Sequence, residues 1–137
     1  MPDIEICNLN QNAVLWPRIG YDMHGGPILG PPQAMNANQR NGVRWNWTFE
    51  EKNQPQDSTV TVDAKVVTYP QEIPIDSIMW LGNFLMLTDP VLGPQTQDAT
   101  GPCQVLSVTL TKNLKGRAVK QDLTLARYRG KLPDGYG

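Results

Sequence analysis

The stretch GVRWNWTFEEKNQPQDSTVTVDAKVVTY, residues 42–69, decides the fold. Val43, Trp45, Trp47 and Phe49 alternate with Arg44, Asn46, Thr48 and Glu50, and Val60, Val62, Ala64 and Val66 alternate with Thr61, Asp63, Lys65 and Val67. A period of two places one apolar face on a strand. Between the two runs, Glu50, Glu51, Lys52, Asn53, Gln54, Pro55, Gln56, Asp57 and Ser58 supply charge, amides and a proline but no bulky apolar side chain. Such a segment has nothing to bury. The pattern predicts a long antiparallel hairpin whose tip, 50–58, projects beyond the folded body.

The rest of the chain extends this all-β reading. Hydrophobic residues make up 39% and charged residues 18% of 137 residues, with 12 Gly and 12 Pro making up much of the difference. Both classes fall below typical globular usage, which favours a turn-rich β protein of one domain over a helical one. The formal net charge of −1 gives no global case for nucleic acid or membrane. Its distribution is uneven: residues 1–111 hold five Lys/Arg against eleven Asp/Glu, and residues 112–137 hold seven against two. An acidic body and a basic end are hidden in a near-neutral total. No apolar run reaches the about 18 residues of a membrane helix. MPDIEICNLN lacks the basic region and apolar core of a signal peptide. Cys7 and Cys103 read as two reduced small hydrophobes in a protein made in the cytoplasm.

Taken in order, residues 1 to about 12 form a polar lead-in, and Ala13-Val14-Leu15-Trp16 is a short strand stopped by Pro17. From Ile19 to Gly42 the chain is too rich in Gly, Pro and Asn for a regular element. It reads either as an extended arm lying on a neighbouring chain, anchored by Tyr21, Met23, Ile28, Leu29 and Met35, or as a surface loop. Ile73 and Ile75 on one side of Asp76-Ser77, and Ile78, Trp80 and Leu81 on the other, predict a tight bend between short strands at a barrel corner. Phe84 to Leu87 fits one helical turn or a strand edge. In the last two strands Leu106, Val108 and Leu110 share one face, and so do Val119, Leu123 and Leu125. Thr111 to Arg117 joins them as a basic turn. The expected fold is a small antiparallel β-barrel with long loops and an extended N-terminal arm. Within a single domain, 1–42 carry the first strand and arm, 43–128 the barrel, and 129–137 a tail.

Residues that carry chemistry are scarce. His24 is the sole histidine and has no second imidazole or cysteine pair at ligand spacing, so no metal site is expected. No nucleophile with a base partner and no phosphate-cradling glycine motif occurs, and Glu50 and Glu51 fall on opposite faces of a strand. No catalytic residue and no cofactor are expected. Trp45 and Trp47 share a face and would serve a sugar or base if exposed, but their alternation favours the core. Lys112, Lys115, Arg117, Lys120, Arg127, Arg129 and Lys131 form the strongest electrostatic feature. This cluster suits DNA phosphate or the acidic face of a neighbouring subunit, and the chain itself offers such a face.

In this order, AVLWPRIGYDMHGGPILGPPQ (13–33), VRWNWTFEE (43–51), TVTVDAKVV (59–67), EIPIDSIMWLG (72–82) and VLSVTLTKNLKGR (105–117) resemble the small head-completion or stopper proteins of long-tailed bacteriophages. These are also called head–tail joining or head-closure proteins. The likeness spans roughly residues 13–128 and lies in the order of the motifs. Asp76-Ser77 stands where these proteins usually carry a Gly, and 34–41 is longer than its counterpart.

The resemblance implies a virion protein made in the host bacterial cytoplasm and placed in the neck. It implies a homo-oligomeric ring beneath the portal and adaptor, above the tail terminator or tail tube, around packaged DNA that it meets without sequence specificity. In that reading 50–58 is the channel-gating loop. Trp16, Tyr21, Met23, Ile28 and Leu29 belong to the arm that docks on the adaptor or adjacent subunit. The basic residues from Lys112 to Lys131 pack between subunits. Another virion β-protein, such as a tail terminator or capsid cement protein, shares the composition, and a carbohydrate-binding module would need both Trp45 and Trp47 exposed.

Overall fold

A computed structural model describes residues 9–37, 41–48, 62–89, 93–94, 101–128, 130 and 132. Among these residues nine strands form: β1 (Ala13–Trp16), β2 (Arg18–Tyr21), β3 (Pro27–Leu29), β4 (Gln33–Met35), β5 (Val43–Trp47), β6 (Ala64–Thr68), β7 (Ile78–Leu81), β8 (Cys103–Lys112) and β9 (Ala118–Arg127). Seven of them make one sheet in the order β4-β1-β7-β8-β9-β6-β5, with every neighbouring pair antiparallel. The chain is all-β and antiparallel, as its periodicity indicated.

The hairpin that opened the reading is present. Val43 faces Thr68, Trp45 faces Val66 and Trp47 faces Ala64, so inward residues of β5 meet inward residues of β6. Val43, Trp45, Ala64 and Val66 are buried, and Trp47 packs half-buried against them with its ring 5.3 Å from that of Trp45. Val67, on the face the alternation assigned to solvent, is buried as well.

The main core draws side chains from β4 at one edge of the sheet to β5 at the other, so the sheet curls around it. The two ends approach each other at a bridge. Gln11, just ahead of β1, exchanges both backbone hydrogen bonds with Val43 at 2.9 and 3.0 Å, and its Oε1 accepts from the Trp45 amide at 2.7 Å. This single bridge stops short of the expected barrel. β4 and β5 remain edges, and no closed barrel forms among the described residues.

β1 and β7 are buried on both faces, which is why AVLW and IMW read as unbroken apolar runs. Ala13, Leu15 and Met79 enter the main core, whereas Val14, Trp16, Ile78 and Trp80 enter a second cluster with Leu87 and Leu132. Burying a side chain such as Ile78 stabilises by about 1.5–3 kcal/mol. The second cluster therefore fixes the centre of the sheet from its back.

Three expectations are corrected. Residues 19–42 contain regular structure: β2 and β3 form a separate hairpin, and β4 pairs with β1, Ala13 opposite Met35. In β8 the pairing slips by one residue between Val105 and Ser107. An extra residue reverses the side-chain phase. Cys103 and Val105 are therefore buried ahead of the bulge, Val108 packs on the core after it, Leu106 is only half-buried, and Leu110 is exposed. Around Asp76-Ser77 a strand forms only on the far side, as β7. Of the two readings of Phe84 to Leu87, the helical turn is the one that forms, as a single 3-10 turn over Phe84–Met86.

Candidate functional site

The strand register gives the molecule two unlike ends. Trp16 lies opposite Ile78, and Ile78 opposite Gln104. β1 and β8 run in the same direction, so the chain that follows Trp16 and the part of β8 that follows Gln104 leave the sheet at one end. The strands that lead into 49–61, Trp47 and Ala64, lie beside Leu125 at the other end.

At the first end the β2–β3 hairpin is fastened to the body by a polar clamp. The Arg18 amide donates to the buried Ser77 Oγ at 2.9 Å, and Arg18 Nε donates to the Ile75 carbonyl at 2.8 Å. The Tyr21 hydroxyl donates to Asp76 Oδ2 at 2.6 Å, and Gln104 Nε2 donates to Asp76 Oδ1 at 2.9 Å. The Arg18 guanidinium lies 4.6 Å from the centre of the Tyr21 ring. Bonding to the Asp76 carboxylate is the main cause that raises the Tyr21 phenol above its ordinary pKa. Asp76 itself has φ +73°, the left-handed conformation that Gly adopts freely and Asp tolerates. A Gly here would supply that backbone but not the carboxylate.

Both hairpins at this end close with the same turn. In Asp22-Met23-His24-Gly25-Gly26, Asp22 Oδ1 accepts from the amides of His24 and Gly26, and Gly25 has φ +84°. In Asn113-Leu114-Lys115-Gly116-Arg117, Asn113 Oδ1 accepts from the amides of Lys115 and Arg117, and Gly116 has φ +79°. The side-chain acceptor and the left-handed Gly are what each turn needs. The second residue of each turn is thrown outward: Met23 is 92% exposed and Leu114 fully exposed. Ile19, Tyr21 and Ile28 add exposed apolar surface on the first hairpin and Leu110 on the second.

The second hairpin is a projecting ribbon. β7 faces β8 only at Cys103 and Gln104, with Val105 bonded to Asp76 and Ser77, and β6 faces β9 only from Gln121 to Leu125. Beyond those points β8 and β9 have only each other among the described residues. Lys112, Lys115, Arg117 and Lys120 sit on this ribbon. Arg127 sits at the opposite end of β9, where its amide bonds to Asp63 Oδ2 at 2.8 Å. The structure thus splits the basic cluster, and Arg129 and Lys131 lie outside the described residues.

Of the expected docking arm, Tyr21, Met23 and Ile28 are exposed and Leu29 is half-buried against the second core cluster. Trp16 is fully buried in that cluster and has no surface to present to a partner. The proposed gating segment, Glu50 to Ser58, lies outside the described residues. Trp45, 5% exposed, is not available to stack on a sugar ring.

No group of His, Cys, Asp or Glu that would hold a metal occurs among the described residues. A cleft of about 340 Å³ beside β4 is lined by Asn12, Ala34, Asn36, Asn83, Phe84 and Leu85, without a titratable side chain. The Asn12 amide is engaged on both atoms, with Asn83 and with the Ala37 amide. Burial, with the nearby Asp63 charge, pushes the Cys103 thiol up to about 12, so it is no nucleophile near neutral pH. No described helix is long and apolar enough to cross a membrane.

Sequence reasoning missed Asp76, Arg18, Ile19 and Leu114. The one legible signal was the shared Asp/Asn-x-x-Gly spacing at 22–25 and 113–116, which marks matching turns. Comparison with family models, curated proteins and solved structures gives no match.

Proposed function

We propose that the chain is a non-enzymatic structural subunit of the head-to-tail connector of a long-tailed bacteriophage virion. Copies assemble into a ring in the neck, beneath the portal and adaptor, which closes the DNA channel and presents a surface to the tail. The observation that carries this reading is the end of the sheet where two hairpins project with Met23 and Leu114 at their tips. Large apolar side chains held out on rigid turns are characteristic of an assembly surface. The order of motifs resembling stopper proteins adds the phage context, and the uneven charge supplies two different faces. A head-to-tail ring needs two such faces on each subunit.

Imaging of the neck of particles carrying the protein tests the proposal. The expected result is a ring of this fold between portal and tail, with heads that lose DNA when the protein is omitted. Density on the icosahedral shell or in the tail tip would overturn it.

A further inference from the structure

The outer edge of β8 is open from Leu106 to Lys112. β7 ends its pairing at Gln104, the 76–77 turn takes up Val105, and no described strand lies alongside the rest. The register fixes where the backbone groups of this edge point. The Leu125 carbonyl accepts from the Asp63 amide, so Leu125, Leu123 and Gln121, at alternate positions of β9, turn their backbone toward β6. Val108 and Leu110 lie opposite Leu123 and Gln121 and therefore turn theirs away from β9, onto the open edge. Their side chains share the core face of the ribbon, where Val108 is half-buried and Leu110 is 49% exposed. Ser107, Thr109 and Thr111 alternate with them on the reverse side. Beyond the bulge, Ser107 to Thr111 carries neither charge nor proline, the devices that keep an edge strand from pairing.

This open stretch is complementary to itself. Its midpoint is Thr109, and antiparallel pairing with a second copy about that residue sets Val108 opposite Leu110 and Leu110 opposite Val108, so that the outward amides and carbonyls meet. The apolar side chains then continue the two core faces into one. On the reverse side Ser107 meets Thr111 and Thr109 meets its own counterpart, hydroxyl pairs that suit a sheet. The two copies of Lys112 fall at opposite ends of the pair, so like charges are not opposed. Other axes fit less well. An axis through Leu110 sets Val108 opposite Lys112, and an axis through Val108 runs Lys112 against Gln104, which β7 already holds. We infer that two copies of this chain pair through β8, antiparallel about Thr109, and join their sheets edge to edge. The contact is isologous and closes at two copies. It belongs to the free chain, separate from the head-to-tail contacts of the proposed ring, and does not rest on the connector reading.

Cysteine cross-linking of the full-length protein tests the register. A non-hydrogen-bonded antiparallel pair, as Thr109 forms with its counterpart, holds its Cα atoms about 4.5 Å apart, within disulfide reach. In a Cys7→Ser background, with Cys103 buried, Thr109→Cys should give a disulfide-linked dimer on mild oxidation. Thr111→Cys, whose counterpart lies about 13 Å away along the strand, should not. Sedimentation of the wild type should show a dimer. Leu110→Lys puts a charge into the apolar seam and should weaken that dimer roughly tenfold or more, while circular dichroism shows the β structure kept. Wild type that stays monomeric up to ~100 μM overturns the inference and leaves the edge to a strand of another protein. So does a Thr109→Cys protein that forms no cross-link, or cross-links no faster than Thr111→Cys, and so does a Leu110→Lys dimer as tight as the wild type.

Discussion

Asp76 shows how much one residue can hold. It adopts a left-handed backbone, accepts the Tyr21 hydroxyl and the Gln104 amide, and lies next to the serine that caps Arg18. Replacing it by Gly keeps the backbone and loses the clamp, whereas Ala loses the clamp and adds a left-handed penalty of about 1–2 kcal/mol. Urea unfolding should rank wild type above Asp76→Gly and Asp76→Gly above Asp76→Ala. The reverse order of the two variants would refute the strain argument. Tyr21 adds a pH signature. Its folded pKa lies above the ordinary 10.0, chiefly through the Asp76 hydrogen bond. The stabilisation linked to that shift is complete below the unfolded value and is lost as pH rises through the folded one. Asp76→Asn should move tyrosinate absorbance to lower pH than in wild type. Cys103 offers a second check. With its thiol held near 12, a Cys7→Ser protein should resist thiol reagents when native at pH 8 and react on unfolding.

At the scale of the element, the β8 bulge decides which side chains work. Val105 is fully buried and Leu106 is not, although plain alternation through Val108 and Leu110 pointed to Leu106. Val105→Ala should cost about 2 kcal/mol of unfolding free energy and Leu106→Ala less than half of that. Equal costs would place the bulge elsewhere. The two matched turns carry the converse expectation. Met23→Ser and Leu114→Ser remove exposed apolar surface, so each should change stability by less than about 0.5 kcal/mol. Their effect should fall on assembly. In the same turns, Gly25→Ala and Gly116→Ala force an L-residue into the left-handed region. Each should lower stability by about 1 kcal/mol in thermal melts, and no loss would show that the turn relaxes.

Across the whole molecule, the sheet separates a clamp-and-ribbon end from the end where β5 leads out and β6 leads in. Self-association through the β8 edge should hold or strengthen as salt rises, since exposed charges are screened over about 8 Å at physiological ionic strength and apolar pairs are not. Association that weakens with salt would point to the ribbon's cations instead. The sequence by itself determined the all-β class, the β5–β6 hairpin and the turn between the last two strands. Each depends on a period of two or on a turn residue's own conformational preference, both local properties. Part of the candidate surface was legible on the same terms, as exposed Tyr21, Met23 and Ile28 and as the lysines of 112–120. Only the tertiary structure decided the strand order, the burial of β1 and β7 on both faces, and the place of Trp16 in the core rather than on an arm. It also decided the phase of β8, the division of the basic cluster and which described ribbon projects. Those features arise from pairing between segments far apart in the chain, such as Arg18 with Ser77 or Gln11 with Val43, and side-chain alternation within one strand carries no record of its neighbour.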